Sequence, residues 1–347
     1  MSGFPRVRSG FTALALGLGL FGCQADEQGA ESRFTALGTE VEIAIADGGD
    51  ADTEAALADA RERLKQIGAA WYPYGDGELA QLNKKLAAGK SFQGSPELIT
   101  LLERAKEMER LSEGRFNPAI GGLIEVWGFS TADGPLDEPP EADAIEQWLE
   151  RRPRTQDLRW DAAGTISTSN DAVQLDLGGI GKGYAAQQTI TLLREHGVAV
   201  GIVNLGGDIL TLGSPADRSW RIGVRDPREG TVLAAVEAHA NEAVFTSGDY
   251  ERTFIHEDRR YHHILDPTTG YPAMGSRSVT VIHDDAVLAD AAATSLFIAG
   301  PEHWRDVADR MGVEHVLLID REGAVHMTEA MEPRVEFMQE PELHRSE

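Results

Sequence analysis

Cysteine is nearly absent from this 347-residue chain: there is one, at position 23. A single thiol excludes an intramolecular disulfide framework and a cysteine-rich zinc site. Basic charge is scarce as well. Lys and Arg total 32 against 57 Asp and Glu, a formal charge of −25. Such a surface repels phosphate backbones and argues against bulk nucleic-acid binding. Long hydrophobic runs are missing too. The apolar run Phe11 to Gly22 has 12 residues, where a helix crossing a bilayer needs about 20. No period of roughly 20–50 residues repeats, which argues against a solenoid. What is present is apolar material, 41% of the chain. That lies far above the level of disordered sequences and suffices for one large or two ordinary domains.

Arg6 and Arg8 precede the apolar run, the pattern of a signal peptide over 1–22. It ends in Leu20-Phe21-Gly22-Cys23, which resembles the bacterial lipobox, where cleavage precedes a lipidated cysteine. The alternative is an ordinary secretory signal beside a coincidental cysteine. Because the one cysteine stands where the lipobox requires it, we expect a lipoprotein with acyl chains, palmitate among them, on Cys23. More than one chain gives firm attachment. Cleavage removes Arg6 and Arg8 and takes the formal charge from −25 to −27. Residues 23–33 read as a lipidated, flexible tether. Residues 34–347 read as the exported domain, with no linker that divides it.

Phe34 to Ala46 alternates apolar and polar residues, the period of a half-buried strand. Helical spacing covers 52–70, and Ser95-Pro96 opens another helix that runs to Gly114. Residues 131–143 are a Pro-rich connector before a short helix holding Trp148. From 157 onward short strands dominate (157–161, 173–177, 199–204, 208–213, 219–225, 231–238, 243–247, 251–256 and 259–265), with helices at 182–196, 285–299 and 301–312. Local hairpins mixed with long helices point to an α+β fold with a strand-rich mixed β core flanked by helices.

Four segments carry residue types that packing alone does not call for. The first is Gln174 to Tyr184, a strand, a glycine-rich turn and a helix start. Glycine lets backbone approach a ligand, and a helix N-terminus favours anions. Lys182, one of six lysines, adds a point charge. The segment is not a P-loop, because Gly183 stands where Ser or Thr belongs. It fits G-x-G-x-x-A over Gly181, Gly183 and Ala186, a loose dinucleotide pattern that equally describes a tight strand-to-helix turn. The second segment, Val203 to Asp208, runs a strand into a Gly-Gly turn, where Asn and Asp serve turn chemistry. The third joins Thr246 to Tyr250 with Tyr261 to Pro272. His262 and His263, adjacent on a strand, point to opposite faces, so at most one serves a given site and a two-His metal site is disfavoured. The fourth is Leu288 to Thr294. Asp290 and Thr294 are four apart on a helix, and two hard oxygens on one face suit Mg²⁺.

Taken together, the ordered blocks resemble the ApbE family, the FAD:protein FMN transferases. They are Thr35 to Thr39, Asn117 to Gly121 with Trp127-Gly128-Phe129, Asp176 to Tyr184, Val203 to Asp208, Ser247 to Tyr250, His263 to Gly270, and Leu288 to Thr294. The resemblance implies an FAD site around Leu37, Tyr74, Trp127, Gly128, Phe129, Asp176, Lys182 and Ile264. It implies Mg²⁺ held by the Gly179 carbonyl, Asp290 and Thr294, and a proton taken by His263 or by a carboxylate such as Asp249. The expected reaction is transfer of FMN from FAD to a threonine of an acceptor flavoprotein, with AMP released. Hydrolysis of FAD and non-catalytic FAD binding are the alternatives. The expected location is the periplasmic side of the inner membrane, with the outer membrane as the alternative. The acceptor expected there is a subunit of a membrane redox complex.

Overall fold

The computed structural model describes residues 29–49, 51–130, 136 and 138–338. The expected signal peptide, Cys23 and most of the tether lie outside the described residues. Among these, no helix is long and apolar enough to cross a membrane.

Eight antiparallel strands form the central sheet, in the order Ala30–Ala36, Thr39–Asp47, Val200–Leu205, Asp208–Leu212, Ala243–Gly248, Ser276–His283, His315–Asp320 and Val325–Met327. Its middle strands are covered on both faces. In His315–Asp320, Val316 and Leu318 join one core with the helices, while Leu317 and Ile319 join another with a three-stranded sheet. That second sheet orders Val335–Phe337, Val232–Ala238 and Trp220–Arg225. The alternation is the period of two that a strand imposes. Helices Thr53–Trp71, Gly181–Glu195 and Ala286–Met311 cover the first face. Phe245 from the sheet and Phe297 from the last helix are fully buried there, and each contributes about 1.5–3 kcal/mol. A third cluster gathers Trp127, Phe129, Trp148, Phe254, Tyr261 and Leu265. The architecture is the α+β class that the sequence implies.

Several elements differ from the sequence reading. The stretch 34–46 is not one strand but part of a hairpin, turned at Leu37 and Gly38 with φ of 53° and 73°. Two successive left-handed residues make the tight turn that matches strand twist. The strand also starts at Ala30, so residues 30–33, expected in the tether, pair with Thr39–Asp47. The stretch 173–177 makes only an isolated bridge, Ile120 to Gln174. Its backbone is used elsewhere: Asn83 both donates to and accepts from Leu175 at 2.8 Å, and the Asp176 amide donates to the Pro118 carbonyl at 2.8 Å. The two helices expected around position 300 form one element broken at Gly300, with φ 69°, and Pro301 restarts it at a position where its missing N–H costs nothing.

Gly183 explains the loose dinucleotide pattern. A Cβ there would stand 2.2 Å from the Ala286 carbonyl oxygen and 2.9 Å from the Val287 Cα. Glycine is required because two helices meet backbone to backbone. Gly183→Ala is therefore expected to lower stability by about 3 kcal/mol, as overpacking does. Urea unfolding measures this, and an unchanged midpoint would refute the close approach.

Helix Pro96–Leu111, capped by Ser95, delivers Arg115, Phe116 and Asn117 toward the sheet's rim. Near its end Glu109 is buried, accepting from the Gln156 amide at 3.2 Å while its Oε1 has no hydrogen-bond partner. Burial raises its carboxyl to about 7, against the nearby Arg154 guanidinium. Between pH 4.5 and 7 the folded state thus holds a proton that the unfolded chain has released. The native state loses stability as pH rises through that window, by about 3 kcal/mol at most. Glu109→Gln is expected to gain relative stability from pH 4.5 to pH 8 by about 2 kcal/mol. Thermal unfolding of both proteins at the two pH values decides it, with a pH-independent difference as the contrary result.

Candidate active site

One cleft, with about 820 Å³ of space continuous with solvent, opens at the edge between the sheet and its helices. Asp176, Gly179, Lys182, His263, Ile264, Asp290 and Thr294 all line it. Arg115, Asn117, Asp208, Ser247, Glu251 and Arg252 line it as well.

The turn 176–180 is built by its own side chain: Asp176 Oδ1 accepts from the Gly178 amide at 2.8 Å. Asp176 Oδ2 accepts from the Tyr74 hydroxyl at 3.4 Å, and burial, then this carboxylate, raises the Tyr74 phenol. Gly179 packs against the fourth segment: a Cβ on it would stand 3.4 Å from Thr294 Oγ1 and 3.2 Å from the Phe116 ring. Thr294 Oγ1 is 3.1 Å from Ser247 Oγ. Asp290 lies one helical turn before Thr294, and its Oδ2 accepts from the Gly183 amide at 2.8 Å. The helix N-terminus that the sequence offers to a phosphate is thus occupied by a carboxylate of this chain. Burial raises Asp290 to about 7, against the opposing effect of Lys182.

Lys182 is not a free cation either. Its ammonium pairs with Asp208 Oδ2, while Asp208 Oδ1 accepts from the Thr246 amide at 2.9 Å. Burial opposes the charged lysine, and the carboxylates of Asp208, Glu251 and Asp290 outweigh it, so its pKa is raised. Four carboxyl groups (Asp176, Asp208, Glu251 and Asp290) face three cations (Lys182, Arg115 and Arg252) in the cleft. The surplus of acid in the whole chain therefore persists at the site. A polyanionic ligand needs additional positive charge there.

The two histidines separate as alternation requires. His262 turns inward, its Nε2 2.8 Å from the Ala273 carbonyl and its ring edge-on to Phe297. His263 faces the cleft. Its Nδ1 is buried without a hydrogen-bond partner. Burial, then the Arg252 guanidinium, pulls its pKa well below 6.5, so the ring is neutral at pH 7.

The remaining candidates lie elsewhere. Asp249 is held by Arg228 through two bonds of 2.8 and 2.7 Å and is not among the cleft-lining residues. Trp127 is fully buried, its indole donating to the Gly270 carbonyl at 2.9 Å. Phe129 stacks 6.4 Å from it, and Gly128, with φ 70°, turns the chain between them. These three stand behind the cleft wall made by Ile120, Ile124 and Leu265. Leu37 packs at its hairpin turn against Gly68. From the sequence Asp208 reads as a turn residue, and nothing in the spacing marks Arg115, Glu251 or Arg252. The Lys182 pairing is the contact that marks Asp208, and no spacing rule announces it.

The chain is similar to several known proteins. It is 38% identical over 335 residues to an FAD:protein FMN transferase of Rhodobacter capsulatus, covering 94% of this chain and 63% of that one. It is 36% identical to one of Treponema pallidum, covering 65% of this chain and 66% of that one. The chain thus spans just under two thirds of the length of these curated relatives. The crystal structure of the ApbE protein from Thermotoga maritima superposes with a TM-score of 0.82 at 32% identity, covering 88% of this chain and 99% of that one. Residues 37–317 match the ApbE family, and the chain belongs to it.

Proposed function

We propose that this protein transfers the FMN half of FAD to a threonine hydroxyl of an acceptor flavoprotein and releases AMP, with Mg²⁺ bound at Gly179, Asp290 and Thr294. The observation that carries the reading is the convergence of three separate sequence segments, 176–182, 263–264 and 290–294, on one cleft. The names of the relatives support it.

The donors fit a hard divalent cation. Asp290 offers a buried carboxylate that lacks full compensation, Thr294 a hydroxyl on the same helix face and Gly179 a carbonyl beside it. All are oxygens, the ligands Mg²⁺ takes. Bound there, the cation supplies the positive charge the cleft lacks and polarises a pyrophosphate. The protein's own residues do the rest. The acceptor hydroxyl attacks the FMN phosphorus; its proton passes to neutral His263; the bond to the AMP phosphate breaks and AMP leaves as an anion. Arg115 and Arg252, both cleft-lining, neutralise phosphate oxygens, and Lys182 contributes while it remains tied to Asp208. Tyr74, Asp176 and Ile264 flank the flavin half, with Trp127 and Phe129 as rigid backing.

Incubation of the protein with FAD, Mg²⁺ and candidate acceptors tests the proposal. An FMN-sized mass on an acceptor threonine, with AMP in equal amount, is the expected result. AMP and free FMN without an adduct would instead indicate hydrolysis, and intact FAD a binding protein. We also infer that lipidated Cys23 holds the domain at the periplasmic face of the inner membrane, where the acceptor is a subunit of a membrane redox complex. Labelled palmitate incorporated by the wild type and not by Cys23→Ser is the check.

A further inference from the structure

The hairpin Thr253–His256/Arg259–His262 belongs to none of the three larger sheets. Its turn residues Glu257 and Asp258 have φ of 48° and 59°, the left-handed pair a two-residue turn requires. Its inner face, Phe254 stacked on Tyr261 at 5.1 Å, seals the aromatic cluster behind the cleft. The register runs from Thr253 opposite His262 to His256 opposite Arg259, and the His263 amide donates to the Arg252 carbonyl at 3.2 Å. Antiparallel alternation then assigns the ladder bonds to Arg252, Phe254 and His256 and turns the N–H and C=O of Thr253 and Ile255 outward. Among the described residues these outward groups have no backbone partner. Ile255 is 65% exposed. An open edge carrying a large exposed apolar side chain is a template for a further strand.

The position of this edge identifies its occupant. The strand begins where the cleft ends: Glu251 and Arg252 just before it line the cleft, as do His263 and Ile264 just after the partner strand. Two exposed side chains, Tyr271 and Leu136, pack at the edge of the buried aromatic cluster. Tyr271 lies 5.7 Å from Trp127, and Leu136 packs over Gly128. A chain segment lying along Thr253–His256 and continuing past Arg252 enters the cleft within one or two residues, at about 3.3 Å per residue.

We propose that the acceptor protein docks by strand addition: an extended segment of it pairs with the outward edge of Thr253–His256 and carries its threonine into the cleft. This rests on the flavin-transfer reading. Backbone pairing supplies affinity with little sequence demand, and Ile255 with its cross-strand neighbour Arg260 meets alternate side chains of the incoming segment.

Ile255→Pro deletes the outward amide and spares the hairpin's own ladder, which does not use it. Ile255→Ala deletes only the side chain. The probe is a protein that the wild type flavinylates. We expect Ile255→Pro to transfer about tenfold more slowly at limiting acceptor, the effect of one lost hydrogen bond with its contacts, and Ile255→Ala several-fold more slowly. FAD binding by flavin fluorescence is expected to stay unchanged in both. Hydrogen exchange is expected to find the Ile255 amide open in the free protein and protected with acceptor. Wild-type transfer by Ile255→Pro, or protection of that amide in the free protein, overturns the docking edge and leaves the flavin reading standing. A wild type that flavinylates nothing overturns that reading and the docking with it. Should Ile255→Pro lose FAD binding through misfolding, Ile255→Ala and the exchange measurement decide.

Discussion

Asp290→Ala is expected to lower FMN transfer by about 10³-fold, the scale of removing a preorganised charge from a phosphoryl-transfer site, while the fold persists. Two local effects on stability oppose each other. The Gly183 amide loses its acceptor, a cost of about 1–2 kcal/mol. A buried carboxyl raised to about 7 by its surroundings disappears, which offsets part of that cost. The diagnostic readout does not need turnover. Mg²⁺ at 100 times its dissociation constant stabilises a protein that binds it by about 2.7 kcal/mol. The wild type should melt higher with added Mg²⁺, and Asp290→Ala should not. A variant that keeps activity, or that keeps the Mg²⁺-dependent melting shift, would sink the assignment of Asp290 as a ligand.

His263→Ala is expected to slow transfer by about 10²–10⁴-fold, the range for loss of a positioned general base, with FAD binding intact. The pH response carries the sign of the shift. A base acts in its unprotonated form, and burial holds His263 well below 6.5. With saturating Mg²⁺ the wild-type rate should therefore stay level from pH 8 down to 6.5, where an ordinary histidine would already be half protonated. Asp249→Asn, which breaks the pairing with Arg228, offers the contrast. If it matches His263→Ala in transfer rate with unaltered stability, the proton goes to the carboxylate instead.

Much of the site was legible in the sequence because its chemistry sits on regular elements. The i, i+4 spacing of Asp290 and Thr294 needs only a helix, and the opposite facing of His262 and His263 needs only a strand. The strands Ser276–His283 and His315–Asp320 escaped because both faces are buried, which erases alternation. The segment 173–177 misled because its apolar spacing is real, yet Asn83, 92 residues away, takes its backbone bonds. Charge pairing was illegible for the same reason. Lys182 and Asp208 are 26 residues apart, and only the folded sheet brings them together. The relocation of Trp127 and Phe129 behind the wall follows from their contacts with Phe254 and Tyr261, partners that periodicity cannot name.

The order of strands in the central sheet also sets a timetable. Asp47 pairs with Val200 and Val41 with Leu205, so residues 48–199 form one loop closed at its base. Closing a loop of that length costs about 4 kcal/mol of chain entropy before any contact rewards it. Non-local antiparallel sheets fold in milliseconds to seconds for this reason. A chain synthesised from its N-terminus has no seat for its first hairpin until Leu205 has emerged. For a protein exported as proposed, that delay keeps the leading half threadable through a translocation pore, with the sheet assembling only after the second half has followed.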